Sequence, residues 1–121
     1  MTDKEFEKAS EEILKWIRNY LLEIEKYPVK SNVKYHEIFD KLPDIAPDNS
    51  EDFNKILDDF NKIIMPGITH WQSPNFFAYF PANSSYPSLL AEMIISTLAA
   101  QCMKWETSPS YTLSLHDALP I

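Results

Sequence analysis

Glycine and cysteine are nearly absent from this chain of 121 residues, which contains one of each. Phosphate-binding loops of the GxGxxG and GxxxxGKS/T types need several glycines, because their backbones adopt positive φ angles and approach the phosphates closely. Gly67 alone cannot form either loop. The single cysteine, Cys102, excludes an internal disulfide, so a disulfide-stapled secreted domain is excluded and a reducing, cytoplasmic compartment is expected.

Basic runs and long apolar runs are missing as well. The formal net charge is −7, and no cluster of Lys and Arg could follow a phosphate backbone, so a nucleic-acid partner is not expected. The longest apolar run, near residues 93–102, is too short and interrupted to span a bilayer. The charged N-terminus, MTDKEFEKAS, has no apolar signal-peptide core. A soluble protein without a membrane partner is predicted.

The first predicted helix covers residues 2 to about 26. Thr2 and Glu5 have the spacing of a capping box, which satisfies free backbone N–H groups at a helix start. Leu14 and Trp16 widen an apolar face that must be covered by the rest of the chain or by another subunit. The main stripe of that face repeats at helical spacing: Phe6, Ile13, Ile17, Tyr20, Leu21 and Ile24.

A second helix is expected after a proline-rich, irregular connector that runs to residue 49. It covers residues 50–65, with Ser50 as its N-cap and the pair Pro66-Gly67 as its stop signal. Its apolar face is formed by Phe53, Ile56, Leu57, Phe60, Ile63 and Ile64.

A third helix is expected from Tyr86 to about Met103, with Ser85 as its N-cap and apolar residues nearly all round, which predicts burial on most sides. The predicted fold class is mainly α: three helices with long irregular connectors and no βαβ alternation. Three helices and a 20-residue irregular loop do not close neatly on themselves. The chain is therefore expected to be part of a larger fold and not a complete domain.

The loop between the second and third helices, residues 66–85, is called the aromatic loop below. Its rings either line a pocket for an aromatic ligand or form a plain hydrophobic core: Trp71, Phe76, Phe77, Tyr79 and Phe80. Asn83, Ser84 and Ser85 follow, and they either bind a polar ligand group or simply cap the third helix.

Histidine is the natural candidate for acid–base chemistry in this loop. His70 could be a general base or could stack on a ring, and the simpler alternative is a structural histidine in the turn after a helix. No Ser, Cys or Asp set suits nucleophilic catalysis, and no Cys/His/carboxylate group has metal-binding spacing. His36 is expected on the surface. The sequence therefore predicts no catalytic residue and no metal site in this chain.

The segment IIMPGITHWQSPNFFAYFPANSSYPSLLAEM, residues 63–93, resembles the N-terminal region of the group II pyridoxal-phosphate-dependent decarboxylases. The aromatic-L-amino-acid decarboxylases are the most similar. Three motifs carry the resemblance, namely IMPG-x-THW, SP-x-FFAYFP and SSYP-x-LLAEM. It covers residues 1 to about 109.

The resemblance implies a homodimeric enzyme of fold type I that removes CO₂ from an aromatic L-amino acid. Its cofactor, pyridoxal 5′-phosphate, would be held by a lysine outside these residues. This segment would be a helical flap that packs across the partner subunit and is inactive by itself. Gln101 and Met103 would reach the partner's active site. The implied substrate-pocket residues are Trp71, Tyr79, Phe80, Pro81, Ala82 and Asn83.

Two features depart from the family pattern. Ala82 stands where some relatives have a substrate-contacting threonine, so the identity of the aromatic substrate stays open. The choice between amine and aldehyde products is also open, because the differences among these relatives lie mostly outside this segment. Residues 110–121, SYTLSLHDALPI, match no expected continuation and are interpreted as an anomalous tail after a family segment of residues 1–109. His116 and Asp117 are therefore not assigned to catalysis, and Lys104 lacks the context of the cofactor lysine.

A function of another class also fits the composition. A small helical interaction module could bind a partner protein through the aromatic loop and the wide face of the first helix. A monomer that unfolds cooperatively by itself would favour such a module, whereas an aggregating or molten chain would favour a segment of a larger enzyme.

Overall fold

The computed structural model describes residues 1–80, 84–99 and 106. The chain divides into two compact units, Met1–Pro81 and Ala82–Ile121. The predicted mainly α class is confirmed, because regular structure within the described ranges is helical, without a β-strand. The α-helices are α1 (Asp3–Leu22), α2 (Phe53–Asp59) and α3 (Tyr86–Leu98). Over these same ranges, no helix has the length and apolar character needed to cross a membrane.

Helix α1 begins at the predicted capping box. The Glu5 N–H donates to Thr2 Oγ1 at 3.3 Å, and the Thr2 N–H donates to Glu5 Oε2 at 2.6 Å. The helix ends at Leu22 and is followed by a 3-10 turn at Ile24–Lys26, so the predicted end near residue 26 is correct when this turn is included.

The second helix differs from its prediction at both ends. Its N-cap is Asp52, whose carboxylate accepts from the Asn54 N–H at 2.8 Å, and not Ser50. A carboxylate satisfies the free N–H groups and also suits the positive end of the helix dipole. After Asp59 the helix continues as a π-helical turn (Phe60–Ile64) and a 3-10 turn (Met65–Gly67).

The cap assignment leads to a stability prediction. Asp52→Ala should lower the free energy of unfolding by about 1 kcal/mol, because N–H groups at the helix start lose their acceptor. Ser50→Ala, two residues earlier and outside the helix, should change it by less than about 0.5 kcal/mol. Equilibrium unfolding in urea measures the change in the free energy of unfolding for each variant. Equal losses from the two variants would show that the cap is assigned wrongly.

Trp16 joins α1 to the second helical segment. Its ring stacks on Tyr20 with centroids 5.3 Å apart and meets Phe60 edge-on at 5.5 Å. Its Nε1–H donates to Asn61 Oδ1 at 2.8 Å. Trp16 lies off the main apolar stripe, so the widened face of α1 is what makes this contact.

The connector between α1 and α2 supports the start of the aromatic loop. Ser31 Oγ donates to the Pro66 carbonyl at 2.8 Å. A Cβ on Gly67 would lie 3.2 Å from Ile38 Cγ1, so the single glycine allows the close approach of Ile38. The connector itself forms a 3-10 turn at Phe39–Lys41. This packing fixes where the loop leaves the second helical segment.

Helix α3 begins at the predicted N-cap. Ser85 Oγ accepts from the Ser88 N–H at 3.3 Å, and Pro87 lies in the first turn, where its missing N–H has no helical partner to lose. The predicted burial on most sides is wrong for this chain. Residues of the helix other than Leu89 are exposed. The predicted end near residue 103 lies outside those residues.

Candidate functional site

The aromatic loop folds into successive turns between Thr69 and Phe76. The Ser73 N–H donates to the His70 carbonyl at 3.0 Å, and the Phe76 N–H donates to the Ser73 carbonyl at 3.0 Å. His70 and Ser73 are buried, whereas Trp71 is exposed. The loop therefore has a buried side that anchors it and an exposed side that presents aromatic rings.

His70 is the centre of the buried side. Only 1% of its surface is exposed, and its Nδ1 lies 2.8 Å from Tyr20 Oη on α1. The Tyr27 and Tyr20 rings pack on the imidazole with centroids 4.8 and 5.6 Å away. Its backbone N–H donates to the Val29 carbonyl at 3.0 Å. Enclosed in this way, His70 is a structural histidine, and the general-base alternative has no support.

Burial also sets the protonation states of His70 and Tyr20. It lowers the pKa of the His70 imidazole below 6.5. It raises the pKa of the Tyr20 phenol above 10.0, with a smaller contribution from nearby Tyr27. Both changes favour the uncharged form, so the hydrogen bond joins two neutral groups.

A pH dependence of stability follows from the lowered pKa of His70. The unfolded histidine takes up a proton as the pH falls through 6.5, whereas the folded imidazole resists protonation until its own lower pKa is reached. The free energy of unfolding should therefore decrease as the pH falls from 6.5 to the lower pKa of the folded imidazole. Urea unfolding at several values from about pH 8 to about pH 5 measures the loss. His70→Phe should flatten this part of the profile, and an unchanged slope in that variant would contradict the assignment.

The exposed side of the loop carries a set of neighbouring rings. Trp71 stacks on Tyr79 with centroids 5.8 Å apart and planes inclined by 23°, and Phe76 packs against Trp71 at 4.7 Å. Trp71 is 46% exposed and Tyr79 is 81% exposed. Rings at these separations attract one another beyond their simple burial. They form an apolar surface that is open to a ligand or to another part of the protein.

Tyr79 has an unusual backbone conformation. Its φ of 59° lies in the left-handed region, which bulky residues rarely adopt. Such residues cost roughly 1–3 kcal/mol and tend to occur at functional sites. The stack on Trp71 offsets part of this cost and holds the phenol ring beside the indole.

The predicted pocket residues are only partly brought together. Trp71 and Tyr79 are in direct contact, and Phe80 is fully exposed without a ring contact among the described residues. Ser85 caps α3 as the simpler alternative predicted. Five predicted or implied residues and the tail lie outside the described residues: Pro81, Ala82, Asn83, Gln101, Met103 and the tail 110–121.

Sequence reasoning missed the two tyrosines that enclose His70. Tyr20 was placed only in the apolar stripe of α1, and Tyr27 was not singled out. Tyr20 and His70 are 50 positions apart, and no local spacing pairs them. The signal available was a polar-tipped aromatic residue on an apolar stripe, since a buried phenol usually finds a hydrogen-bond partner.

The loop suits an aromatic side chain better than a phosphorylated cofactor. No Lys or Arg occurs between Lys62 and Lys104, so the loop has neither an amine to bond a pyridoxal aldehyde nor a cation to hold its phosphate. Aromatic rings and neutral polar groups make up its exposed side. The residues of this loop therefore do not fit the cofactor.

Comparison with known proteins gives consistent matches. The family described as pyridoxal-dependent decarboxylase conserved domain matches residues 36–116, more than half of the chain and several residues into the stretch set apart as a tail. Aromatic-L-amino-acid decarboxylase of Mus musculus is 41% identical over 112 residues, which is 93% of this chain and 23% of that protein. The chain thus spans about a quarter of such relatives.

Two solved structures are similar in sequence and in fold. The 4-hydroxyphenylacetaldehyde synthase of Rhodiola rosea is 42% identical with a TM-score of 0.83, over 91% of this chain and 24% of that one. Tryptophan decarboxylase of Catharanthus roseus, solved with L-tryptophan, is 35% identical with a TM-score of 0.82 and the same coverage. The chain belongs to the pyridoxal-dependent decarboxylase family.

Proposed function

We propose that this chain is the N-terminal segment of a pyridoxal-phosphate-dependent decarboxylase of fold type I that acts on aromatic L-amino acids. The observation that carries the proposal is the exposed stack of Trp71 and Tyr79 on a loop anchored by His70. The stack supplies one wall of the substrate pocket, and the family resemblance adds Phe80, Pro81, Ala82 and Asn83 as further proposed substrate contacts.

The role of the wall is to bind and orient the substrate ring. Flat rings offer stacking and edge-on contacts that favour an aromatic substrate over an aliphatic one. Covering the substrate with rings also excludes water from the reacting bond. In the full-length protein, bound pyridoxal phosphate would supply the electron sink that decarboxylation requires. No proton transfer is assigned to the loop.

The cleft between α1 and the start of α2 is a poorer location for the substrate. Four of its ten lining residues are acidic: Glu5, Glu12, Glu51 and Asp52. These groups would repel the carboxylate of an amino acid and attract its ammonium group, so charge alone does not favour the cleft. Phe53 is the one aromatic residue in the lining that the structure describes, so the cleft offers less ring surface than the exposed side of the aromatic loop.

The enzyme is further proposed to be homodimeric and cytoplasmic, and the uncovered apolar surface supports packing of this segment on other parts of it. Exposed apolar residues lie on α1, on the connector and on nearly every turn of α3: Phe6, Leu22, Phe39, Ile45, Leu90, Ile94, Ile95 and Leu98. Surfaces of this extent usually mark an interface. Gln101 and Met103 are proposed to approach the partner's active site. Residues 1–109 are proposed to form this segment and residues 110–121 a tail, although the family match continues to residue 116.

An assay of CO₂ release tests the proposal. A full-length protein containing this segment, supplied with pyridoxal phosphate, should release CO₂ from a carboxyl-labelled aromatic L-amino acid and form the amine. An aldehyde product would place it with the aldehyde-forming relatives instead. The absence of CO₂ from all aromatic amino acids would refute the proposal.

The 121-residue chain provides the matching test of inactivity. It should release no CO₂ and should lose pyridoxal phosphate on dialysis, because the cofactor lysine lies outside it. A cofactor absorbance band that survives dialysis would contradict the segment proposal.

A further inference from the structure

We propose that Tyr20, on the first helix and outside the substrate wall, is a positioning residue for that wall and acts through its hydrogen bond to His70. The inference rests on the proposed function in one respect, namely that the stack of Trp71 and Tyr79 contacts the substrate. The anchoring itself depends only on contacts within the unit Met1–Pro81.

The Tyr20 hydroxyl ties the loop to α1 at its most buried point. Its oxygen lies 2.8 Å from His70 Nδ1, and His70 is 1% exposed. Loss of this hydrogen bond would leave the hydroxyl or the imidazole as an unsatisfied polar group, which lowers the free energy of unfolding. The hydroxyl therefore selects one orientation of the imidazole.

The orientation of His70 is transmitted to Trp71 through the backbone. The His70 N–H is held by the Val29 carbonyl, and the His70 carbonyl accepts from the Ser73 N–H, both at 3.0 Å. Trp71 is the next residue, so the turn at His70 sets the orientation of the Trp71 side chain. Tyr79 then stacks on that indole. A displacement of about 1 Å in a substrate-positioning group can cost a large factor in rate.

Tyr27 offers a matched control. Its ring packs 4.8 Å from the imidazole and 5.3 Å from the Tyr20 ring. Its hydroxyl makes no hydrogen bond within the part of the chain that the structure describes. Tyr20→Phe and Tyr27→Phe thus each remove one hydroxyl from the same aromatic cluster, and Tyr20 alone contributes the hydrogen bond to His70.

The test uses the full-length enzyme with both variants. Tyr20→Phe should raise KM for the aromatic amino acid about threefold to tenfold, the factor that corresponds to one neutral hydrogen bond, with a smaller change in kcat. Hydrogen–deuterium exchange should become faster at the amides of His70 and Ser73. Tyr27→Phe should leave both measurements within about twofold of wild type.

A second variant separates positioning from a general loss of structure. In a His70→Phe background, Tyr20→Phe should cause no further rise in KM, because the contact is already absent. Equal effects of the two tyrosine variants, a full additional effect in that background, or unchanged exchange at His70 and Ser73 would each overturn the inference. If the wild-type enzyme releases no CO₂, the proposed function fails, and the exchange measurement still decides the anchoring.

Discussion

Trp71→Ala is expected to lower kcat/KM for the aromatic amino acid about tenfold to a hundredfold in the full-length enzyme. Burying a large apolar side chain against a ligand is worth roughly 1.5–3 kcal/mol, and an aromatic pair adds roughly 0.5–1.5 kcal/mol. The indole is also the partner of the Tyr79 ring, so its loss removes the contact that supports Tyr79 in its left-handed conformation. Steady-state kinetics with several aromatic substrates provides the measurement.

Two control variants make the Trp71 result specific. Trp71→Phe keeps a ring and should lose less than Trp71→Ala. Tyr35→Ala removes a ring that is 93% exposed on the connector and should leave kcat/KM within about twofold. If Trp71→Ala behaved like Tyr35→Ala, the aromatic loop would not be part of the substrate pocket.

His70→Ala is expected to lower the free energy of unfolding by about 2–4 kcal/mol, a larger loss than removal of the helix cap at Asp52. The substitution leaves a cavity where the imidazole packs between Tyr20 and Tyr27. It also leaves the half-buried Tyr20 hydroxyl without its hydrogen-bond partner, which adds a smaller cost. Urea unfolding at about pH 7 measures the loss while the wild-type imidazole is neutral.

His36 is the natural control for His70. It is exposed and has a φ of 66°, a conformation that asparagine tolerates. His36→Asn should therefore change the free energy of unfolding by less than about 0.5 kcal/mol. Similar losses at the two histidines would contradict the structural role assigned to the buried one.

The helices follow closely from local sequence signals. The capping box of Thr2 and Glu5 specifies one helix start. The N-cap Ser85, followed by Pro87 in the first turn, specifies another. Both signals span separations of three residues or fewer, so pattern reasoning can find them. Asp52 was missed because Ser50 and Asp52 are both good caps, and local spacing does not decide between them. The π-helical turn before Pro66 was missed as well. Proline has no N–H for the carbonyl of Lys62, and the sequence does not show how the backbone accommodates this loss.

The candidate site could be predicted only in part. The family motifs pointed to Trp71 and Tyr79 as neighbours of a ligand, and the structure shows that their rings stack. The anchoring of His70 by Tyr20 depends on how α1 packs against the loop, and such long-range contacts leave no periodic signal. The left-handed backbone of Tyr79 was also unforeseen, because a bulky aromatic residue gives no local reason to expect a positive φ.

A crystal structure of the full-length protein with a bound aromatic amino-acid inhibitor would show whether the aromatic loop contacts the substrate ring. We expect the ligand ring to lie about 4.5–7 Å, centroid to centroid, from the ring of Trp71 or Tyr79. The proposed substrate wall would be refuted if both rings were covered by the protein's own side chains and the ligand ring were bound elsewhere.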